Sequence, residues 1–433
     1  MWMTGHGLHR LAALASHSVF ALLLLAAQAT YCDDGTASAS GAGGTPRPLL
    51  QDGKPVDWWF VFKFNAKSFP ACGAASRPTC PFGGTPTTQK FSQQFVYASS
   101  DNSLLKQGDG CVGDTDTDPV GATFGELYRG GFFYVVWNDQ FYQDPDISGC
   151  GDSCGAPWGH SKGMLAWNEA GEGLVLQVTT PSWPGSGSSD FPRGPGGNTL
   201  GCSTQTNNVL VSQHFFAVRL TRQDVSQVLD ALANASVVTN LQDPRLVHSG
   251  GPSEIVDRVN QLGRKSRETK VVRVQLSSGV GLLSKPSALH VPPWQLVSAE
   301  LGRVPLRVAT WWTNPAIDST QAATTVECWD SSLSTPGAVQ IATSGSWSGV
   351  AFGLKGGPGP DFNHAKIGVS TGGDHRFVIF GDMNQQGVLS SDNCGRSQNG
   401  RGGLFYVVED AILADSVSRL IDGSSAPVDG AHP

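Results

Sequence analysis

Apolar residues fall into short dense runs, separated by long polar stretches rich in Gly, Pro and Ser. Trp58-Trp59-Phe60-Val61-Phe62, Phe132-Phe133-Tyr134-Val135-Val136-Trp137 and Leu174-Val175-Leu176 have no polar break, so they predict core strands. Strands are expected over 55–63, 131–137, 173–178, 209–218, 271–276, 306–312 and 376–380. Helical spacing appears in three places. Val225, Val228, Leu229 and Leu232 recur at i, i+3, i+4 and i+7 behind Thr221-Arg222-Gln223-Asp224, which has the form of a capping box, so a helix should cover 222–234. Pro292-Pro293-Trp294 through Leu301, closed by Gly302, gives a second helix. Ile412, Leu413, Val417, Leu420 and Ile421 share one face of a third, around 409–422. Strands interleaved with helices in both halves of the chain predict an α/β fold, layered around mixed sheets.

The intervening stretches set the boundaries. Residues 1–29 have a short start with Arg10, an apolar run too brief to span a bilayer and a small-x-small site at Ala27-Gln28-Ala29, the pattern of a secretory signal peptide. Residues 30–50 are expected as a flexible lead-in and 425–433 as a flexible tail. Between 69 and 120 the chain reads as loops, and its Asp114-Thr115-Asp116-Thr117-Asp118 run reads as solvated rather than calcium-binding. Nine cysteines in a chain on the secretory route point to disulfides. Cys328 and Cys394, the two cysteines of the second half, are expected to pair. Cys150 and Cys154 read as disulfide cysteines rather than zinc ligands, since no second ligand pair follows. Asn234-Ala235-Ser236 is an N-glycosylation sequon. No later stretch is long and apolar enough to span a membrane.

Composition alters the picture in one respect. The formal net charge is −7 at pH 7, an awkward balance for gripping a polyanion. Acid reverses the awkwardness, because histidines gain charge below about pH 6.5 and carboxylates lose it near pH 4–5.

Two His-x-Lys triplets carry the candidate chemistry: His160-Ser161-Lys162 and His364-Ala365-Lys366, one in each half. On extended backbone both side chains of a triplet share a face. Each face then offers an imidazole that can attack or protonate, beside an ammonium that neutralises phosphate oxygens. Phosphodiester cleavage needs a nucleophile on one side of phosphorus and a proton donor at the leaving oxygen, so two facing triplets would supply the pair. Elsewhere, His214 between phenylalanines reads as a core residue. Trp58, Trp59, Trp311 and Trp312 read as packing within strands rather than as platforms for bases. Arg264-Lys265-Ser266-Arg267 with Lys270 is a basic cluster that fits a phosphate contact and a solvated linker equally well. No acidic cluster accompanies either triplet, which disfavours metal-dependent hydrolysis.

Gly159-His160-Ser161-Lys162-Gly163 and Asn363-His364-Ala365-Lys366 resemble the two signatures of the deoxyribonuclease II family. Val56-Asp57-Trp58, Trp137-Asn138-Asp139-Gln140, Gly381-Asp382-Met383-Asn384 and Arg401-Gly402-Gly403 resemble further segments of it, in collinear order across most of residues 51–424. The resemblance implies two pseudo-symmetric halves like those of the phospholipase D superfamily, 51–250 and 251–424, with the active site at their interface. It implies an acid endonuclease that leaves 3′-phosphate ends on DNA through a phosphohistidine, with no cofactor or metal. His160 and His364 would be nucleophile and general acid, with Lys162 and Lys366 holding the phosphate. Asn384 would contact a phosphate oxygen. Asn168 follows the first triplet where superfamily members carry an acidic residue, and Asn138 lies in the turn before it; both are candidates for the substrate site. A phospholipase D-type lipid phosphodiesterase and a silent DNA-binding relative are the competing expectations. The expected setting is a lysosome, another acidic compartment or the exterior; neither oligomeric state nor which histidine attacks can be read from these residues.

Overall fold

Trp58–Lys63 (β1) sends alternate side chains into two different cores, and that alternation sets the layering. Trp58, Phe60 and Phe62 point one way, Trp59 and Val61 the other, so the strand is apolar throughout because both its faces are covered. The computed structural model describes residues 44–71, 80–84, 94–113, 116–200 and 209–429. The segment read as a signal peptide, most of the expected lead-in and the last residues of the expected tail lie outside them.

β1 belongs to an eight-stranded sheet with Phe95–Ser99 (β2), Asn102–Gln107 (β3), Phe133–Asn138 (β4), Lys162–Trp167 (β5), Gly173–Val178 (β6), Gln213–Leu220 (β7) and Val247–His248 (β8). Its order is β3-β2-β1-β7-β6-β5-β4-β8. A seven-stranded sheet contains Val272–Gln275 (β9), Gly281–Lys285 (β10), Leu306–Ala309 (β11), Val339–Ile341 (β12), Ile367–Ser370 (β15), Phe377–Gly381 (β16) and Gly403–Glu409 (β17). It runs β12-β11-β15-β16-β17-β10-β9, and Ser344–Trp347 (β13) with Val350–Gly353 (β14) makes a separate hairpin. Every pairing is antiparallel except β11 with β12. The run β1-β7-β6-β5-β4 in one sheet has the same chain order and antiparallel sense as β10-β17-β16-β15-β11 in the other.

Five α-helices occur among the described residues: Pro119–Arg129 (α1), Arg222–Asn234 (α2), Ser253–Val259 (α3), Pro293–Glu300 (α4) and Ala411–Leu420 (α5). α1 covers the outer face of the first sheet, and α4 the outer face of the second. α2 and α5 lie in the core between the sheets, where Phe60 and Phe216 stack on Phe380 with ring centroids 4.4 and 4.6 Å apart. The fold is thus α/β, with two sheet-based halves flanked by helices.

The expected capping box is formed: Asp224 N donates to Thr221 Oγ1, and Asp224 Oδ2 accepts from Thr221 N. Cys328–Cys394 and Cys150–Cys154 are both disulfides. The reading of 69–120 as loops changes, since β2, β3 and the start of α1 all fall inside that stretch. α1 begins inside the stretch read as loop: Asp118 caps it and Asp116 pairs with Arg129, so the described part of the acidic run serves a helix. The sequon residue Asn234 ends α2 nearly buried, with Nδ2 donating to Ser284 O at 3.2 Å.

Candidate active site

Both triplets lie at the entrance of a strand. Lys162 is the first residue of β5, and Lys366 immediately precedes β15, the strand in the equivalent place of the second sheet. Gly163 lets β5 pass its neighbours; a Cβ there would come within 2.5 Å of Leu176 O and 2.6 Å of the Trp137 ring. Trp137 in turn donates its indole N–H to Ser161 Oγ at 2.8 Å, which fixes the middle of the triplet.

The backbone ties the triplets together across the sheets. His160 N donates to Gly402 O (2.8 Å), just ahead of β17, while His364 N donates to Ser212 O (2.7 Å), just ahead of β7. Each histidine is therefore anchored to the opposite sheet, at matching strands. His160 Nδ1 lies 2.7 Å from Asp382 O. A carbonyl can only accept, so Nδ1 carries the proton and Nε2 keeps its lone pair. His214, expected in the core, is fully buried, and its Nδ1 accepts from Lys366 N at 3.1 Å. It holds the second triplet in place.

His160, His364, Lys366, Trp311, Asn384 and Arg401 line one cavity of about 350 Å³. The Trp311 ring stands edge-on to His364, centroids 4.2 Å apart. Trp311 was expected as strand packing, but β11 stops at Ala309 and leaves it half-buried at the site. The two lysines differ. Lys366 Nζ makes no hydrogen bond or ion pair among the described residues and is available to an anion. Lys162 lies behind the wall, 2.6 Å from Asp139 Oδ1. Asp139 Oδ2 accepts from Arg401 at 2.8 Å, and Arg401 also donates to the carbonyls of Cys154, Trp158 and Gly159. The Asp139–Arg401 link escaped the sequence reading because it joins residues 262 apart; each had been noted only within its own segment.

Burial dominates the electrostatics. It lowers both imidazoles well below their usual value, and nearby lysine charge lowers them further. Asp139 opposes this at His160, and a backbone hydrogen bond to Thr179 opposes it at His364. Burial also pushes the Lys366 ammonium well down, with Lys162 adding to the effect. Although burial pushes Asp139 up, Lys162, His160 and Arg401 together hold it well below the carboxylate range. Asp382 is raised to about 7 by burial, despite hydrogen bonds from Ser161, Leu404 N and Gln177.

Of the expected substrate contacts, Asn384 reaches the cavity, and its buried Oδ1 has no hydrogen-bond partner among the described residues. Asn168 does not. It sits beyond the far end of β5, roughly 20 Å along the strand from the triplet, where its Oδ1 closes a turn by accepting from Ala170 N and Glu172 N. Asn138 does not reach the cavity either: it is fully buried, accepts from Gln140 N and donates to Thr180 O and Trp183 O. Its amide shapes the loop that carries Asp139. Among the described residues, no three His, Cys, Asp or Glu side chains converge as a metal-binding group would, and no helix is long and apolar enough to cross a membrane. A protein-family model described as Deoxyribonuclease II matches residues 48–425 of the 433. No curated protein matches.

Proposed function

Because the chain belongs to the deoxyribonuclease II family, and is thus a phosphodiester hydrolase acting on DNA, we propose that it is an acid endonuclease working through a phosphohistidine. The carrying observation is that His160 and His364, each anchored to the opposite sheet, share one cavity with an uncommitted lysine. The matching strand order of the sheets supports reading the halves as a pseudo-symmetric pair.

His160 is the nucleophile in this reading, since its Nδ1–H is engaged by Asp382 O and its Nε2 lone pair is left for phosphorus. As the N–P bond forms, the P–O5′ bond breaks, and protonated His364 gives its proton to the departing 5′ oxygen. Phosphorus stays on the 3′ oxygen, now joined to His160. Water, deprotonated by the neutral His364, then displaces the imidazole and leaves a 3′-phosphate. Lys366 and Asn384 hold the non-bridging oxygens; Lys162, paired with Asp139, acts through the field it sets at the histidines rather than by contact.

This chemistry needs one neutral and one charged imidazole, and the lowered histidines leave both neutral in the empty site near pH 6.5. Acidification, and the anion itself, supply the missing proton. An acidic compartment on the secretory route is the setting that fits, and no metal is required.

Plasmid digestion in EDTA across pH 4–8 tests the reading. Cutting should rise as pH falls through the lowered histidine values, and His160→Ala and His364→Ala should each abolish it. Loss of cutting in EDTA would sink metal independence. Equal retention of DNA by the wild type and His364→Ala, with cutting by neither, would leave a silent binder; hydrolysis of phosphatidylcholine instead of plasmid would favour the lipid reading.

A further inference from the structure

Two lysine–tryptophan pairs stand beside the two triplets, one on each. Lys265 Nζ lies 5.3 Å from the Trp158 ring centroid, and Lys355 Nζ lies 5.7 Å from that of Trp312. Trp158 is two residues before His160, and Trp312 directly follows Trp311, the ring packed on His364. Both neighbourhoods are tied to the triplets by backbone. Ser236 O accepts from Gly159 N while Ser236 Oγ accepts from Ser266 N, so one residue clasps the first triplet's loop and the basic segment together. On the other side, Lys355 O accepts from Asn363 N, next to His364, and Trp312 O accepts from Gly356 N.

Both lysines are exposed, and among the described residues neither takes part in an ion pair. Both tryptophans keep part of their surface open. An exposed cation over an indole gains only about 0.5–1 kcal/mol, so it can exchange that contact for a phosphate. The basic cluster Arg264, Lys265, Arg267 and Lys270 is exposed alongside the first pair.

We propose that Lys265 with Trp158 and Lys355 with Trp312 are two strand-holding subsites, one beside each histidine, which take phosphates of the nucleic-acid strand on either side of the one being cut. The ammonium moves from the indole to a phosphate, and the uncovered ring carries the sugar or an unstacked base. This rests on the nuclease reading for its substrate, and it goes beyond that reading in saying what grips the strand outside the cavity.

The test measures oligonucleotide binding against salt in the His160→Ala chain, where nothing is cut. Each phosphate contact removed should lower the slope of log affinity against log salt by about 0.7–0.9. Lys265→Gln and Lys355→Gln should each show that loss, and the double variant the sum. Lys265→Arg and Lys355→Arg should keep the slope. Lys106, on the outlying strand β3, places a similar cation over Tyr97 of β2, and Lys106→Gln should change nothing. An unchanged slope in the double variant, or an equal loss in Lys106→Gln, overturns the proposal. Because binding is read without cleavage, a chain that fails to cut DNA yet loses slope in these variants would overturn the mechanism and leave the subsites standing.

Discussion

At the scale of single residues, the site is organised by what is buried behind the cavity as much as by what lines it. Asp139 is enclosed between Lys162 and Arg401. Asp139→Asn leaves two buried cations without a counter-charge and should cost about 3–5 kcal/mol in chemical denaturation. It also removes the group that raises His160. The limb of the pH–rate profile on which activity is lost as His160 takes up a proton should then move to lower pH; an unmoved limb would detach Asp139 from the histidine. Asp382 works in the opposite sense. Burial raises it to about 7 from 3.8, so between those values the folded chain holds a proton that the unfolded chain has released. That contribution to stability is present in acid and lost as pH rises towards 7, by up to about 1.4 kcal/mol per unit. Asp382→Asn cannot titrate, so the stability of the parent relative to this variant, read by chemical denaturation, should fall steadily between pH 4.5 and 6.5; a constant difference would remove Asp382 as the titrating group. Trp311→Ala should lower kcat about tenfold with little change in KM, because an edge-on aromatic contact worth about 0.5–1.5 kcal/mol no longer orients His364.

At the scale of elements, legibility tracked how local the signal was. The helix over 222–234 was readable to the residue, because its cap, spacing and end all lie within the segment. The strands around β1, β4, β6 and β16 were readable because both their faces are apolar. α1 was not, although Asp118-Pro119 is a helix start and Val120, Phe124, Leu127 and Tyr128 share a face. Gly121 and Gly125 break the pattern, although a Cβ at Gly125 would meet only the exposed ends of the Asp116 and Arg129 side chains. β10 and β17 were also missed; each is short or glycine-led, and each gains its pairing from residues far away. The triplets themselves were legible, whereas the places of Asn138 and Asn168, outside the cavity, were not. Position along the chain could not say that one amide faces a loop and the other lies past a whole strand. The Cys328–Cys394 disulfide closes 66 residues, a span whose unfolded-chain constraint is worth about 4 kcal/mol. Replacing both cysteines by serine should lower the denaturation free energy by that order while leaving the pH profile of cutting in place; a shifted profile would mean that the bridge also shapes the site.

At the scale of the molecule, two antiparallel-rich sheets bury helices between them and bring His160, ahead of β5, and His364, ahead of β15, to one cavity. The bonds from His160 N to Gly402 O and from His364 N to Ser212 O mean that neither imidazole is placed by its own half alone. Separately expressed segments 51–250 and 251–424 should each be inert on plasmid, with cutting recovered only on mixing; activity in either segment by itself would contradict this shared anchoring. The same reciprocity acts while the chain is being made. A molecule caught midway through assembly has no functioning blade, so maturation and arming are a single event, and a DNA-cutting protein built in this way is harmless until its last contacts close.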